Sequence, residues 1–164
     1  MRLFVYGTLL LAQNHPLGDV LRDNATLIGR GSIRARLHII PDPQTGADAY
    51  PGATRGRRAV DRVHGELYLL RDDFAELLKV LDAYENCSPE FPEPHEFQRR
   101  RVKVELADRT VVDAVAYLYN WDIAKARLVP DGQFLSVGSV SVSSLRPLAG
   151  PAGFALPRTR LRLD

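Results

Sequence analysis

Little in these 164 residues is equipped for metal, disulfide or phosphate-loop chemistry. Cys87 is the single cysteine, so an internal disulfide framework is excluded and a reducing, cytoplasmic setting is expected. The four histidines, His15, His38, His64 and His95, have no metal-ligand spacing, so no metal is expected. A Gly-x-Ser-x-Gly elbow is absent, and Gly29-Arg30-Gly31 is too sparse to cradle phosphates. No apolar run approaches the roughly 20 residues needed to span a bilayer, so no membrane association is expected. Met1-Arg2 and the apolar Leu3 to Ala12 mimic a short signal peptide. Against that, Gly7-Thr8 interrupts the run and Gln13-Asn14-His15 supplies no small-residue cleavage site. A dominant charge sign is missing too: 22 basic against 20 acidic residues leave +2, which selects no polyanion globally. Arg55, Arg57, Arg58 and Arg62, Arg99 to Arg101 and the basic tail therefore read as solvated faces, with no nucleic acid expected. One arginine remains available for a substrate carboxylate.

What is present fits one domain large enough to bury a core, over residues 1–146, followed by a tail over 147–164 that is either mobile or tied down by Leu161 and Leu163. Asn14 to Asp23 suggests a short helix entered through Pro16. Residues 25–40 suggest two strands joined near Gly29-Arg30-Gly31 or near Arg34. Pro41 to Arg58 lacks periodicity and reads as a long loop containing Tyr50-Pro51-Gly52-Ala53. Val63 to Leu70 returns to strand character, Asp72 to Glu85 is the clearest helix, and Asn86 to Glu96 is a proline-rich surface loop. Phe97 to Leu106 and Val111 to Tyr119 suggest a hairpin, and Phe134 to Leu145 a further strand bent at Gly138. About seven strands and two helices without βαβ alternation argue for an α+β domain, its mixed or antiparallel sheet able to close into a small barrel. Tyr6, Tyr68 and Trp121 read as core aromatics.

Two stretches carry candidate chemistry. Phe4-Val5-Tyr6 runs into Gly7-Thr8, so a buried strand stops at a glycine that permits unusual backbone angles or a close approach. Unpaired N–H groups at such a turn form an anion-sized socket, although an ordinary core strand and turn has the same sequence. In the helix, about 100° per residue puts Phe74, Leu77, Leu78 and Leu81 on one stripe, with Glu85 about 20° from Phe74. Asp73 with Glu76 reads as a capping box that fixes this phase. A carboxylate on the buried side of a helix C-terminus is disfavoured by desolvation and by the helix dipole, which raises its pKa toward neutral and suits it to proton transfer. The alternative is a frayed helix end, with Glu85 turned to solvent or paired with Arg99, Arg100 or Arg101. Cys87 lies two residues from Glu85 and reads as a packed or loop cysteine rather than a nucleophile.

Phe4-Val5-Tyr6-Gly7-Thr8-Leu9, Val63-His64-Gly65-Glu66-Leu67-Tyr68, Leu81-Asp82-Ala83-Tyr84-Glu85-Asn86-Cys87, Phe97-Gln98-Arg99 with Val102-Lys103-Val104, and Ala114-Val115-Ala116-Tyr117-Leu118-Tyr119 come in one characteristic order. Together, over roughly residues 2 to 140, they resemble the gamma-glutamylcyclotransferase superfamily. The resemblance implies a small mixed-strand β-barrel with flanking helices. It also implies a cofactor-independent enzyme that cyclises a small γ-glutamyl substrate to 5-oxoproline and releases an amine or amino acid. Glu85 is implied as general acid and base, Tyr6, Gly7, Thr8 and Leu9 as the cavity lining, and Tyr117 and Tyr119 as hydroxyl contacts. A monomer or weak homodimer is expected, and a non-catalytic ligand- or protein-binding module on the same fold is the alternative. Phe97 stands where many members carry tyrosine, and the loop over 86–96 is longer than the pattern and could act as a lid.

Overall fold

The computed structural model describes residues 1–10, 15–42, 45–46 and 48–134. Strands β1 (Arg2–Val5), β2 (Ala25–Ile33), β5 (Val63–Leu70), β6 (Phe97–Leu106) and β7 (Val111–Tyr119) close a barrel in the order β1-β5-β2-β6-β7. Every pair is antiparallel except the closing contact, where Leu3 of β1 meets Val115 of β7 in parallel. Beside the barrel, β3 (Ala35–Pro41), β4 (Asp48–Arg55) and β8 (Arg127–Val129) form a second sheet in the order β4-β3-β8. Helices α1 (Pro16–Asp23) and α2 (Ala75–Tyr84) flank these sheets. The architecture is the mixed-strand barrel with flanking helices that the sequence predicts.

The predicted two-strand reading of residues 25–40 has its join at Arg34, a single residue between β2 and β3. The reading of Pro41 to Arg58 as a loop is corrected, because β4 lies inside it and pairs with β3 from Ala35↔Arg55 to Pro41↔Asp48. Pro51 obscured this strand. It is tolerated because β4 is an edge strand, where a missing N–H need not cost a ladder bond. The three-residue β8 is too short to leave a pattern in the sequence. Helix α2 starts later than predicted, with Phe74 at its N-cap and no side-chain cap, so the Asp73–Glu76 capping box is not formed. Of the expected stripe, Leu77, Leu78 and Leu81 face the core; Tyr84 joins them, and Phe74 is only partly buried. Tyr68 is a core aromatic, whereas Trp121 is 47% exposed and donates from Nε1 to the Pro94 carbonyl at 2.7 Å. Of the strand expected over 134–145 only Phe134 is described; its bend at Gly138 and the tail over 147–164 lie outside the described residues.

Barrel closure depends on backbones approaching closely beside β5. A Cβ on Gly65 would lie 2.1 Å from the Val5 carbonyl oxygen and 2.7 Å from Phe4 Cζ, so β1 must shift to admit it. Gly65→Ala is expected to destabilise the fold by about 1–3 kcal/mol, as overpacking does. The check is a urea titration in which the midpoint falls while the slope is unchanged.

Candidate active site

Strand β1 ends at Val5, and the chain then makes a tight turn. The Leu10 N–H donates to the Gly7 carbonyl at 3.1 Å. No acceptor among the described residues takes the N–H of Gly7, Thr8 or Leu9. Gly7 is not in a left-handed conformation; its need is space, since a Cβ there would lie 2.6 Å from Pro51 Cγ. Across this turn lies a cleft of about 40 Å³. Its walls come from Phe4 and Val5 of β1, Tyr6 to Leu9, Tyr50 and Pro51 of β4, Tyr84 and Glu85 at the end of α2, Phe97 of β6 and Tyr117 of β7. Glu85 is the one carboxylate among these described lining residues, which include no arginine or lysine.

The chemistry depends on how each side chain is held. Glu85 is the C-cap of α2, half-buried, with its N–H bonded to the Leu81 carbonyl at 2.9 Å. Arg99, the alternative partner for Glu85, goes to Asp82 instead, its Nη1 lying 2.9 and 2.8 Å from the two carboxylate oxygens. Asp82 also accepts from the Tyr117 hydroxyl at 2.7 Å. Burial, and then this bond to an acid, raise the Tyr117 pKa, so the group stays a phenol. The Tyr6 hydroxyl donates to the Tyr117 carbonyl at 2.6 Å and accepts the Ala53 N–H at 3.1 Å. Its pKa is raised by burial first and by the Glu85 charge second. Thr8 Oγ1 and the Tyr84 hydroxyl are hydrogen-bonded at 3.1 Å, and the Tyr84 ring packs on His15 with centroids 5.5 Å apart. The Cys87 thiol is pushed up to about 12 by burial and by Asp82, which leaves it protonated and a poor nucleophile.

Of the residues singled out by sequence, Tyr6, Gly7, Thr8, Leu9, Glu85 and Tyr117 therefore share one cleft. Tyr119 does not line it and packs edge-on against Phe97, ring centroids 5.3 Å apart. Sequence reasoning missed Asp82, Tyr84, Tyr50 and Pro51. Asp82 and Tyr84 stand inside the Leu-Asp-x-x-Glu motif, but Tyr50 and Pro51 had no signal once their strand was read as loop. The loop over 86–96 is pinned rather than free. Asn120 Nδ2 donates to the His95 carbonyl at 2.9 Å, and the buried Glu96 accepts from Tyr50 and, at 3.3 Å, from Asn86.

The fold and cleft define a small barrel protein with one acidic residue opposite a bare backbone turn. The model of the family described as Gamma-glutamyl cyclotransferase, AIG2-like matches residues 3–136, and the chain belongs to that family. No curated protein matches it. Among solved structures, protein ytfP from Escherichia coli is 27% identical, with TM-score 0.53 over 82% of this chain and 96% of that one. An AIG2-like protein from Mus musculus is 22% identical, with TM-score 0.51, covering 71% of this chain and 75% of that one. YkqA from Bacillus subtilis is 18% identical with TM-score 0.56 over 82% of this chain, which spans only 39% of YkqA. The latter two likenesses concern the fold. No helix among the described residues is long and apolar enough to cross a membrane.

His15 supplies a pH test of the flank of the cleft. Its Nδ1 accepts the Leu17 N–H at 3.1 Å as the N-cap of α1, and burial lowers its pKa. Burial, then Arg36, lowers that of His38 as well. With both depressed below the ordinary value of about 6.5, the unfolded chain binds these protons more readily, so stability is lost as pH falls below that value. The urea midpoint is expected to drop between about pH 7 and pH 5, and to drop less in His15→Asn, which keeps a capping oxygen.

Proposed function

We infer that the chain is a γ-glutamyl cyclotransferase with Glu85 as its acid and base. The observation that carries this reading is a half-buried carboxylate sharing a cleft with three backbone N–H groups that no described acceptor takes, in a chain of this family. Such a substrate has an α-ammonium group and, four atoms away, a γ-carbonyl. Glu85 removes a proton from the ammonium, and the amine attacks the γ-carbonyl carbon to close a five-membered lactam. Charge gathers on the γ-oxygen, which the N–H groups of Gly7 to Leu9 stabilise as an oxyanion socket. The C–N bond to the leaving group then breaks, Glu85 returns its proton to the departing nitrogen, the ring nitrogen sheds its second proton to water, and 5-oxoproline and an amine are released. The reaction is an orientation problem, which a tight cleft suits.

Other residues take positioning roles. Asp82 fixes Tyr117 and Arg99 one turn behind Glu85, so the helix end cannot swing toward the arginine. The hydroxyls of Tyr6 and Tyr117 are already committed within the protein, and these residues shape the cleft with their rings. Tyr119 supports Phe97 from behind. At about 40 Å³ the cleft is smaller than the roughly 300 Å³ or more of pockets that enclose drug-sized ligands, which suits a small substrate held tightly.

The test is oxoproline release from a panel of γ-glutamyl amines, γ-glutamyl amino acids and glutathione. Glu85→Gln is expected to lower turnover roughly a hundred- to ten-thousand-fold, as loss of a general acid–base group does. Its urea midpoint should match or exceed that of the parent, because a half-dried charge is removed. A silent panel, together with saturable binding of any member, would instead assign the cleft to a non-catalytic binding module.

A further inference from the structure

Beyond the cleft, the fold gathers arginines that are scattered in the sequence. A groove of about 460 Å³ runs where the corner between β2 and β3 meets the outer face of β6. Arg34 comes from that corner, Arg55 from the end of β4, Arg62 from just before β5, and Arg101 and Lys103 from alternate positions of β6. Five cations thus face a single lining carboxylate, Glu105. Arg62 engages Glu105 at 3.6 Å, and Lys103 reaches Asp113 at 3.1 Å. Arg34, Arg55 and Arg101 have no side-chain hydrogen bond or ion pair among the described residues. Neighbouring arginines behave otherwise: Arg58 is held by Asp61 at 3.1 Å and Arg99 by Asp82 at 2.8 Å. The groove shares no residue with the cleft, so neither Glu85 nor the turn at Gly7 accounts for it.

Three guanidinium groups with no partner among the described residues line one groove and repel one another, and the repulsion is relieved when an anion bridges them. Guanidinium presents its N–H groups in a planar fork that pairs phosphate oxygens two at a time, and its pre-organised geometry loses less freedom per hydrogen bond formed. Ile33, Val102 and Leu118 give the groove an apolar floor, which keeps bulk water away from one side of the contact. We propose that this groove is a binding site for a compound carrying two or more linked phosphate groups, lying across Arg34, Arg55 and Arg101. The shared chemistry is the phosphate chain, whether it comes from a nucleoside triphosphate or from condensed inorganic phosphate.

The experiment is a calorimetric titration of the full chain at low salt with sodium tripolyphosphate, with ATP and with a single-stranded oligonucleotide. One tripolyphosphate or ATP is expected to bind per chain, with affinity falling steeply as salt is added. Arg34→Gln and Arg101→Gln should each weaken it about tenfold or more, as loss of a charge-assisted bidentate contact does, while Arg71→Gln, outside the groove, should not. Each variant is first shown to be folded by circular dichroism. ATP binding much tighter than tripolyphosphate assigns a nucleotide; equal binding assigns the phosphate chain alone. Glu85→Gln should leave the titration unchanged, so failure of the catalytic reading does not affect this one. The proposal is overturned by no saturable binding at millimolar probe, by equal loss in Arg71→Gln, or by binding of the oligonucleotide alone.

Discussion

The hydroxyl of Tyr6 is the constraint on which the rest of the cleft depends. It is buried, donates to the backbone of β7 and accepts from the backbone of β4, so one oxygen ties the end of β1 to the barrel and to the second sheet together. Removing it would strand a buried N–H and a buried carbonyl on separate elements, each costing about 1–3 kcal/mol if left unsatisfied. Because this anchor immediately precedes Gly7, the exposed donors of the turn start from a fixed point. A residue that the resemblance implies as cavity lining does line the cleft and is also the bolt between two sheets.

The acid opposite that turn is held differently. Glu85 ends a helix whose buried leucines fix its rotation, and Asp82, one turn earlier, binds both Tyr117 and Arg99. Arg99, one of the arginines that could neutralise Glu85, is thereby occupied, and no cation is among the described residues that line the cleft. On the catalytic reading, a half-buried carboxylate beside a backbone socket is suited to proton transfer.

Much of this is legible in the sequence, for physical reasons that can be named. The barrel strands alternate or run apolar, α2 shows its stripe, and the short motifs at Tyr6 to Leu9 and Leu81 to Glu85 bring the turn and the acid to one place. What is hidden depends on tertiary context. Pro51 disguises an edge strand as a loop, and with it go Tyr50, Pro51 and one wall of the cleft. Helix α2 begins without the cap that Asp73 and Glu76 promise, since tertiary packing of its leucines suffices to hold it. The arginines look like separate solvated runs because a net charge of +2 says nothing of which ones the strands bring side by side.

The single-residue join at Arg34 has a consequence for how such a molecule could diversify. One jaw of the cleft is carried by the barrel and the other by a small sheet attached to it through that joint, the β3–β4 hairpin and the bolt at Tyr6. Lengthening or recolouring the hairpin would reshape the upper jaw while every barrel register stayed as it is. The shape of one wall of the cleft and the placement of its carboxylate are thus written on separate pieces of chain, free to change at different rates.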